Sequence, residues 1–339
     1  MTPSNIPKAW HWPIRVGGSA LLAALLTVAL VAAFASQAFW QEWSSIAVET
    51  SDRGRMEAGW ILDGAHDWAR ARLRDDAKSS GAADHDGESW AQPVVRLPLD
   101  LFLAGSEETE DRSAPDADIA ADVDSNVPAA PFVSQQLSDA QGKLNLLNLL
   151  EGQALSPLWL QAFEKLFQVL KLPQEKLVTL SNNLRQASTT RSLTGDDRTA
   201  SAGPVLLPQQ MSQLVWLGLD SATLDALQAH VTLLPNRTPV NLNSASVEVL
   251  ESLLPSIKRT DAERIVALRQ FQPFQSVADA GISNLQSEVQ YSVSSRFFEL
   301  HTEIGLGPIS VAESALLQRD GANVRTLWRR RAMAKENSW

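Results

Sequence analysis

The 339-residue sequence contains no cysteine. That absence removes disulfides, thiolate nucleophiles and thiolate metal sites together, and it is compatible with either side of a membrane. Histidine is scarce, and His11, His66, His85, His230 and His301 do not fall into metalloprotease spacing. The sequence has neither a phosphate-cradling glycine loop nor a serine-nucleophile elbow, so catalysis finds little support. Cations are outnumbered, 29 Lys plus Arg against 39 Asp plus Glu, for a net charge of −10. An acidic body argues against generic nucleic-acid binding, which needs cationic contacts to phosphates. Two further gaps organise the chain: no charge occurs between Arg15 and Glu42, and no proline between Pro13 and Pro93.

The first gap encloses RVGGSALLAALLTVALVAAFASQAF, from Arg15 to Phe39. About 20 apolar residues at a rise of 1.5 Å match a hydrocarbon core of roughly 30 Å, so the stretch is long enough to cross a bilayer as a helix. A cleaved secretory signal could end at Ala33, Ala35 or Ser36, but the apolar run is too long for one. A plain signal anchor fits the length and leaves Gly17 and Gly18 unexplained. Lys8 and Arg15 precede the span, while Glu42, Glu49 and Asp52 follow it. Cations favour the cytoplasmic side, so residues after about 40 are expected in the periplasm.

A third reading starts from the break before the apolar run, where Gly17-Gly18 is followed by Ser19-Ala20-Leu21-Leu22. This resembles the prepilin signal of type IV pilins and type II secretion pseudopilins, cut on the cytoplasmic side after the glycine, here Gly18, to leave Ser19 first. Most pilin-like subunits carry a glutamate at the fifth residue after the cut; here that residue is Ala23. An apolar residue there is typical of the K-type minor pseudopilin.

The proline-free stretch predicts that the helix continues beyond the span. Trp40, Trp43, Ala47, Gly54, Ile61, Ala65 and Trp68 recur at helical steps and define one face, expected to pack on the protein's own sheet and on neighbouring subunits. Gly54, Gly59 and Gly64 weaken it and allow bending or close packing. From Lys78 to Trp90 the composition ends the helix, and Asp84, His85 and Asp86 read as a solvated loop rather than a metal trio. Val94 to Leu99 reads as a strand. The acidic run from Glu107 to Asp124 reads as a mobile loop that lacks the pattern of an EF-hand.

Phe132 to Leu137, the turn Ser138 to Gly142, and Lys143 to Leu149 predict a hairpin. Ser156 is expected to cap a helix with Pro157 at its first position, and Gln174 to Ala187 predicts a second helix, followed by a polar loop from Ser188 to Pro204. Gln213 to Asp220 precedes another short helix. Asn241-Leu242-Asn243-Ser244-Ala245, a helix through Leu254, and Asp261 to Arg269 resemble a helix-hairpin-helix unit. Its turn is Pro255-Ser256-Ile257-Lys258-Arg259 rather than glycine-x-glycine, which disfavours phosphate binding. Arg296 to Ile304 alternates as a half-buried strand, with Phe298, Leu300, Thr302 and Ile304 on one face. Val311 to Arg319 and Val324 to Arg330, joined through Asp320-Gly321, predict a hairpin, and the basic tail with Arg325, Arg329, Arg330, Arg331 and Lys335 reads as a solvated face, with pairing to an acidic neighbour as the sharper reading.

Glu88 to Pro93, Asp139 to Leu149 with Asn145 and Asn148, and Asn241 to Asp279 are close to the pattern of the K-type minor pseudopilins of type II secretion, and the resemblance covers nearly the whole chain. It implies an α+β fold in which a long N-terminal α-helix packs on a small antiparallel β-sheet that carries an inserted helical domain. The expected layout is a prepilin leader at 1–18, an N-terminal helix at 19–77 with 19–39 in the membrane, the first part of the β-domain at 78–150, the insert at 151–287, and the final strands at 288–339. It implies a structural protein and no enzyme, anchored in the bacterial inner membrane with a periplasmic body, capping a pseudopilus. The partners implied are I-, J- and H-type minor pseudopilins, the prepilin peptidase and the inner-membrane secretion platform, with no nucleic acid. The roles implied are processing for Gly18 and Ser19, assembly for Ala23, and helix interaction for Trp40, Trp43, Ile61 and Trp68. The family is associated with calcium in its helical domain, but most of the usual carboxylates are missing here and only Asp196 and Asp197 are left to hold one. A membrane-anchored DNA-binding protein of a competence-like system, using Asn241 to Arg269, is the alternative.

Overall fold

The computed structural model describes residues 19–79, 83–104, 130–192, 207–253, 257–281, 290–307 and 309–333. The chain divides into two units, Met1–Glu57 and Ala58–Trp339. Helix α1 is continuous over Ser19–Ser79. In the first unit its side chains are exposed, with Ser51 and Gly54 half-buried. Alanine and leucine supply the helix propensity there. The hydroxyls of Thr27 and Ser36 donate back to the carbonyls of Ala24 and Ala32, each at 2.8 Å, so they present no unpaired donor on the apolar surface.

In the second unit, α1 buries Ala58, Ile61, Leu62, Ala65, Ala69 and Leu73, which recur at three- and four-residue steps along one face. A five-stranded antiparallel sheet is assembled from β1 (Val94–Pro98), followed by the short helix α2 (Leu99–Ala104), β2 (Phe132–Asp139), and three strands from the end of the chain. Between β2 and those last strands lie the strand fragments β3 (Leu144–Asn145), β4 (Leu150–Glu151) and β5 (Ala154–Leu155), then helices α3 (Pro157–Val169) and α4 (Gln174–Ser192). A 3₁₀ turn at Met211–Leu217, α5 (Ser221–Leu227), β6 (Val231–Thr232), β7 (Val240–Asn241), α6 (Val247–Leu253), α7 (Arg259–Phe271) and β8 (Tyr291–Ser292) complete this block. The sheet then resumes with β9 (Phe297–Leu306), β10 (Ile309–Asp320) and β11 (Asn323–Met333), in the order β1-β2-β9-β10-β11.

β9 carries the predicted alternation: Phe298, Leu300, Thr302 and Ile304 are buried. Their face meets α1 through a cluster of Ala69, Leu73, Trp90, Leu137, Phe298, Leu300, Ala315, Leu317 and Val324. A second cluster joins Ile61, Leu62 and Ala65 to Val133 and Ile304. The helical block has its own core, in which Trp159, Phe163, Leu166 and Phe167 of α3 contact Leu177, Leu180 and Leu184 of α4 and Val249, Leu250 and Leu253 of α6. β10 and β11 form the predicted hairpin, with Gly321 in the left-handed region at φ 58°.

Four expectations are corrected. β2 does not form a hairpin with Lys143 to Leu149: its two edges are taken by β1 and β9, and the chain after Gly142 instead makes a parallel pairing of β3 with β6. Asp84 is not solvated with its neighbours: it is buried and ion-paired with Arg319, while His85 is half-buried and Asp86 exposed. The basic tail is not simply solvated: Arg329 pairs with Asp63 and Glu313, both at 2.7 Å, and Arg331 pairs with Glu313 at 3.3 Å. α4 runs on to Ser192, into the predicted loop. Ser156 and Pro157 take the N-cap and first position of α3 as expected, without a side-chain cap bond.

Candidate functional site: the junction of sheet and helical block

The helical block is inserted into the sheet's connections, and polar groups at the join hold it in a defined orientation on the sheet. β2 ends at Asp139, whose backbone is extended and whose side chain caps the next 3₁₀ turn by accepting from the Gln141 N–H at 2.7 Å. Its other carboxylate oxygen accepts from the Asn241 amide at 2.8 Å, the Ser244 hydroxyl at 2.5 Å and the Ser295 hydroxyl at 2.6 Å. One buried carboxylate therefore ties the end of β2 to the start of the helix-hairpin-helix-like unit and to Ser295, two residues before β9. Asn241 shares its amide with the Asp84 carbonyl at 3.0 Å and Ser295 Oγ at 3.1 Å.

Arg319, on the inward face of β10, completes the join. Its guanidinium donates to Asp76 of α1 at 2.7 Å, to the Asp84 carboxylate and to the Ser295 carbonyl at 3.1 Å, while lying 4.8 Å from the centroid of Phe298. Asp84 returns a bond by accepting from the Ser295 N–H at 2.6 Å. Its planar fork suits two carboxylates at once, which a lysine would not reproduce.

Buried asparagines secure the neighbouring loops. Asn145 donates to the Asn236 carbonyl at 2.7 Å and accepts from the Leu147 and Leu234 amides. Asn148 makes a two-way bridge to the Thr238 backbone, and Asn243 does the same to Phe274. Backbone groups buried in irregular loops are thereby satisfied without a sheet ladder. Gly142 lies against this frame: a Cβ there would stand 2.8–2.9 Å from Ser244 Oγ and the Ser244 carbonyl atoms. Only glycine lets the two backbones approach so closely.

Burial pushes the Asp139 carboxyl up to about 6, while its four hydrogen bonds pull the other way. The folded value lies above the ordinary 3.8, so the folded chain retains a proton that the unfolded chain has released between about pH 4 and 6. Asp139 thus contributes stability below that window, and the contribution is lost as pH rises through it. Between pH 7 and pH 5 the wild type is expected to gain about 1 kcal/mol over Asp139→Asn, which lacks the titration. Urea unfolding at the two pH values measures this; a gap that narrows on acidification would contradict the assignment.

The residues picked out by sequence fall into separate places. Ile61 is buried against the sheet, whereas Trp68 is half-buried, with its ring edge-on to Phe102 at 6.0 Å and Arg72 at 4.8 Å. Trp40 and Trp43 are exposed and pack on each other at 5.6 Å. Ser19 begins α1 and Ala23 is exposed on it. Gly18, Asp196 and Asp197 lie outside the described residues, as do Glu107 to Asp124, Pro255 and Ser256. Among the described residues, Asp76, Asp84 and Glu88 bring carboxylate oxygens within 4.8 Å of one another. That set does not fit a calcium ion: Arg319 fills the cation's place at Asp76 and Asp84, and Glu88 accepts from the His85 N–H and the Trp90 indole. Arg319 and Asp76 were missed in the sequence. The available signal was a charge at Arg319 in register with inward-facing Ala315 and Leu317, a position that demands a buried partner.

Comparison with known proteins converges on one family. The family model of the type II secretion system protein K matches residues 240–294, the segment that contributes Asn241 and Ser244 to the junction. The type II secretion system protein K of Pseudomonas aeruginosa is 25% identical over 323 residues, covering 89% of this chain and 88% of that protein. The fold matches a chain of the GspK-GspI-GspJ complex from the enterotoxigenic Escherichia coli type 2 secretion system with a TM-score of 0.57 at 20% identity, covering 84% of this chain and 99% of that one. By the family match over residues 240–294 and by likeness along 89% of its length, the chain is similar to the type II secretion system protein K, the K-type minor pseudopilins.

Proposed function

We propose that this subunit is anchored in the bacterial inner membrane by Ser19 to Phe39 and, after the prepilin peptidase cuts behind Gly18, caps a periplasmic pseudopilus together with I-, J- and H-type minor pseudopilins on the secretion platform. The observation that carries the reading is the helical block between β2 and β9, locked to the sheet by Asp139, Asn241, Ser295 and Arg319. A block of that size, rigidly held, is too bulky to repeat along a thin fibre, so a terminal place suits it. Ala23 supports the same place, since it offers no carboxylate to a neighbour's amino terminus. I- and J-type partners are favoured because the similar solved chain is part of a complex with GspI and GspJ. The role is structural, and nothing in the comparisons favours the DNA-binding alternative.

The mature N-terminus tests the processing. Intact-mass measurement on protein from cells with the peptidase is expected to show a chain starting at Ser19; a start at Met1 or after Ala35 would overturn it. Immunogold labelling of pseudopili is expected at one end, and labelling along the length would remove the terminal assignment.

A further inference from the structure

Beyond the apolar run, the first unit carries an aromatic cluster that neither the sheet nor the junction uses. Phe39, Trp40 and Trp43 are 79%, 67% and 61% exposed, and the two indoles lie 5.6 Å apart on adjoining turns. With Ser36 they form one face of α1, at steps of three and four residues. From Ser19 to Trp40 the helix rises roughly 30 Å, the thickness of a hydrocarbon core. The first charge after Arg15, Glu42, falls between the two tryptophans. The cluster thus continues the apolar surface without a break and sits where that surface meets the first ionised group. Indole suits such a boundary, because its ring is apolar and its N–H needs a polar partner.

From this geometry we infer that Phe39, Trp40 and Trp43 form a collar that seats in the lipid headgroup layer on the side of the body and sets the depth of the anchor. The inference rests on the anchor reading above. The occupant is lipid rather than a neighbouring helix because the collar marks the end of a bilayer-length run. Trp60, 20 positions further along the sequence, belongs to the second unit and is 74% exposed. It lies outside the cluster, and it serves as the internal control.

The absence of cysteine permits single labels without background. Nitroxide labels on Val28→Cys, Ser36→Cys, Ser44→Cys and Ala47→Cys in the full chain, reconstituted in phosphatidylethanolamine–phosphatidylglycerol vesicles, report depth as relative accessibility to oxygen and to a water-soluble nickel reagent. The crossing from oxygen-favoured to nickel-favoured is expected between positions 36 and 47. Trp40→Ala/Trp43→Ala is expected to move the crossing by about one helical turn, on the order of 5 Å. Trp40→Phe/Trp43→Phe is expected to leave it nearer the wild-type position, and Trp60→Ala to leave it unchanged. A crossing that ignores the double alanine change, or that moves equally with Trp60→Ala, overturns the collar while leaving the anchor standing. Nickel access at position 28 would overturn the anchor, and the collar with it.

Discussion

Arg319→Ala is expected to destabilise the body by about 3–5 kcal/mol, because removing one partner from a buried ion pair strands the charges left behind. Asp76 and Asp84 are both buried, and Arg319 is bonded to each. For a domain of this size the loss corresponds to a fall in Tm of roughly 10 °C, readable by circular dichroism on the detergent-solubilised chain. Arg319→Lys keeps the charge but cannot span both carboxylates with a planar fork, so an intermediate loss is expected. Adding Asp84→Asn to Arg319→Ala should recover part of the stability, since it removes one stranded carboxylate. A loss below about 1 kcal/mol for Arg319→Ala, the range of an exposed pair, would show that the network is solvated.

Trp90→Ala is expected to cost a similar amount, about 3–5 kcal/mol, by loss of transfer energy and creation of a cavity. Trp90 is fully buried, its ring meets Phe298 edge-on at 4.9 Å and 77°, and its indole N–H donates to Glu88 at 2.8 Å. It follows the end of α1 and packs in the cluster that joins Ala69 and Leu73 to β9 and β10. Arg72 of α1 closes the same turn by donating to the carbonyls of Ser89 and Gln92. Trp90→Phe keeps an aromatic partner for Phe298 and gives up the indole bond, so a loss of about 1–2 kcal/mol is expected. Equal losses for the alanine and phenylalanine variants would mean that the hydrogen bond, not the packing, dominates. Because Trp90 and Arg319 both touch Phe298, the double variant should lose less than the sum of the two single losses.

Periodicity and turn chemistry are local, and they made much of the fold legible. The long α1 followed from an uncharged run and the absence of proline, the β10–β11 hairpin from Asp320-Gly321, and β9 from its two-residue alternation. Prediction failed where the partner was distant. The apolar runs around Ser138 to Gly142 look like a hairpin, yet β2 pairs with β9 about 160 residues later, because a β-strand accepts any edge that buries its inner face. The same limit hid the junction. Asp84 lies in a polar stretch that reads as a loop, and only the approach of Arg319 and Ser295 makes it a buried ion.

By itself, therefore, the sequence determined that a bilayer-length helix precedes an α+β body, and its motifs pointed to the family, because those features depend on the order of neighbouring residues. Tertiary structure alone decided that Trp68 is half-buried while Trp60 on the same helix is bare, and how the inserted block is fixed. Those outcomes depend on desolvation and charge pairing between residues as far apart as Asp76 and Arg319, which no local pattern encodes.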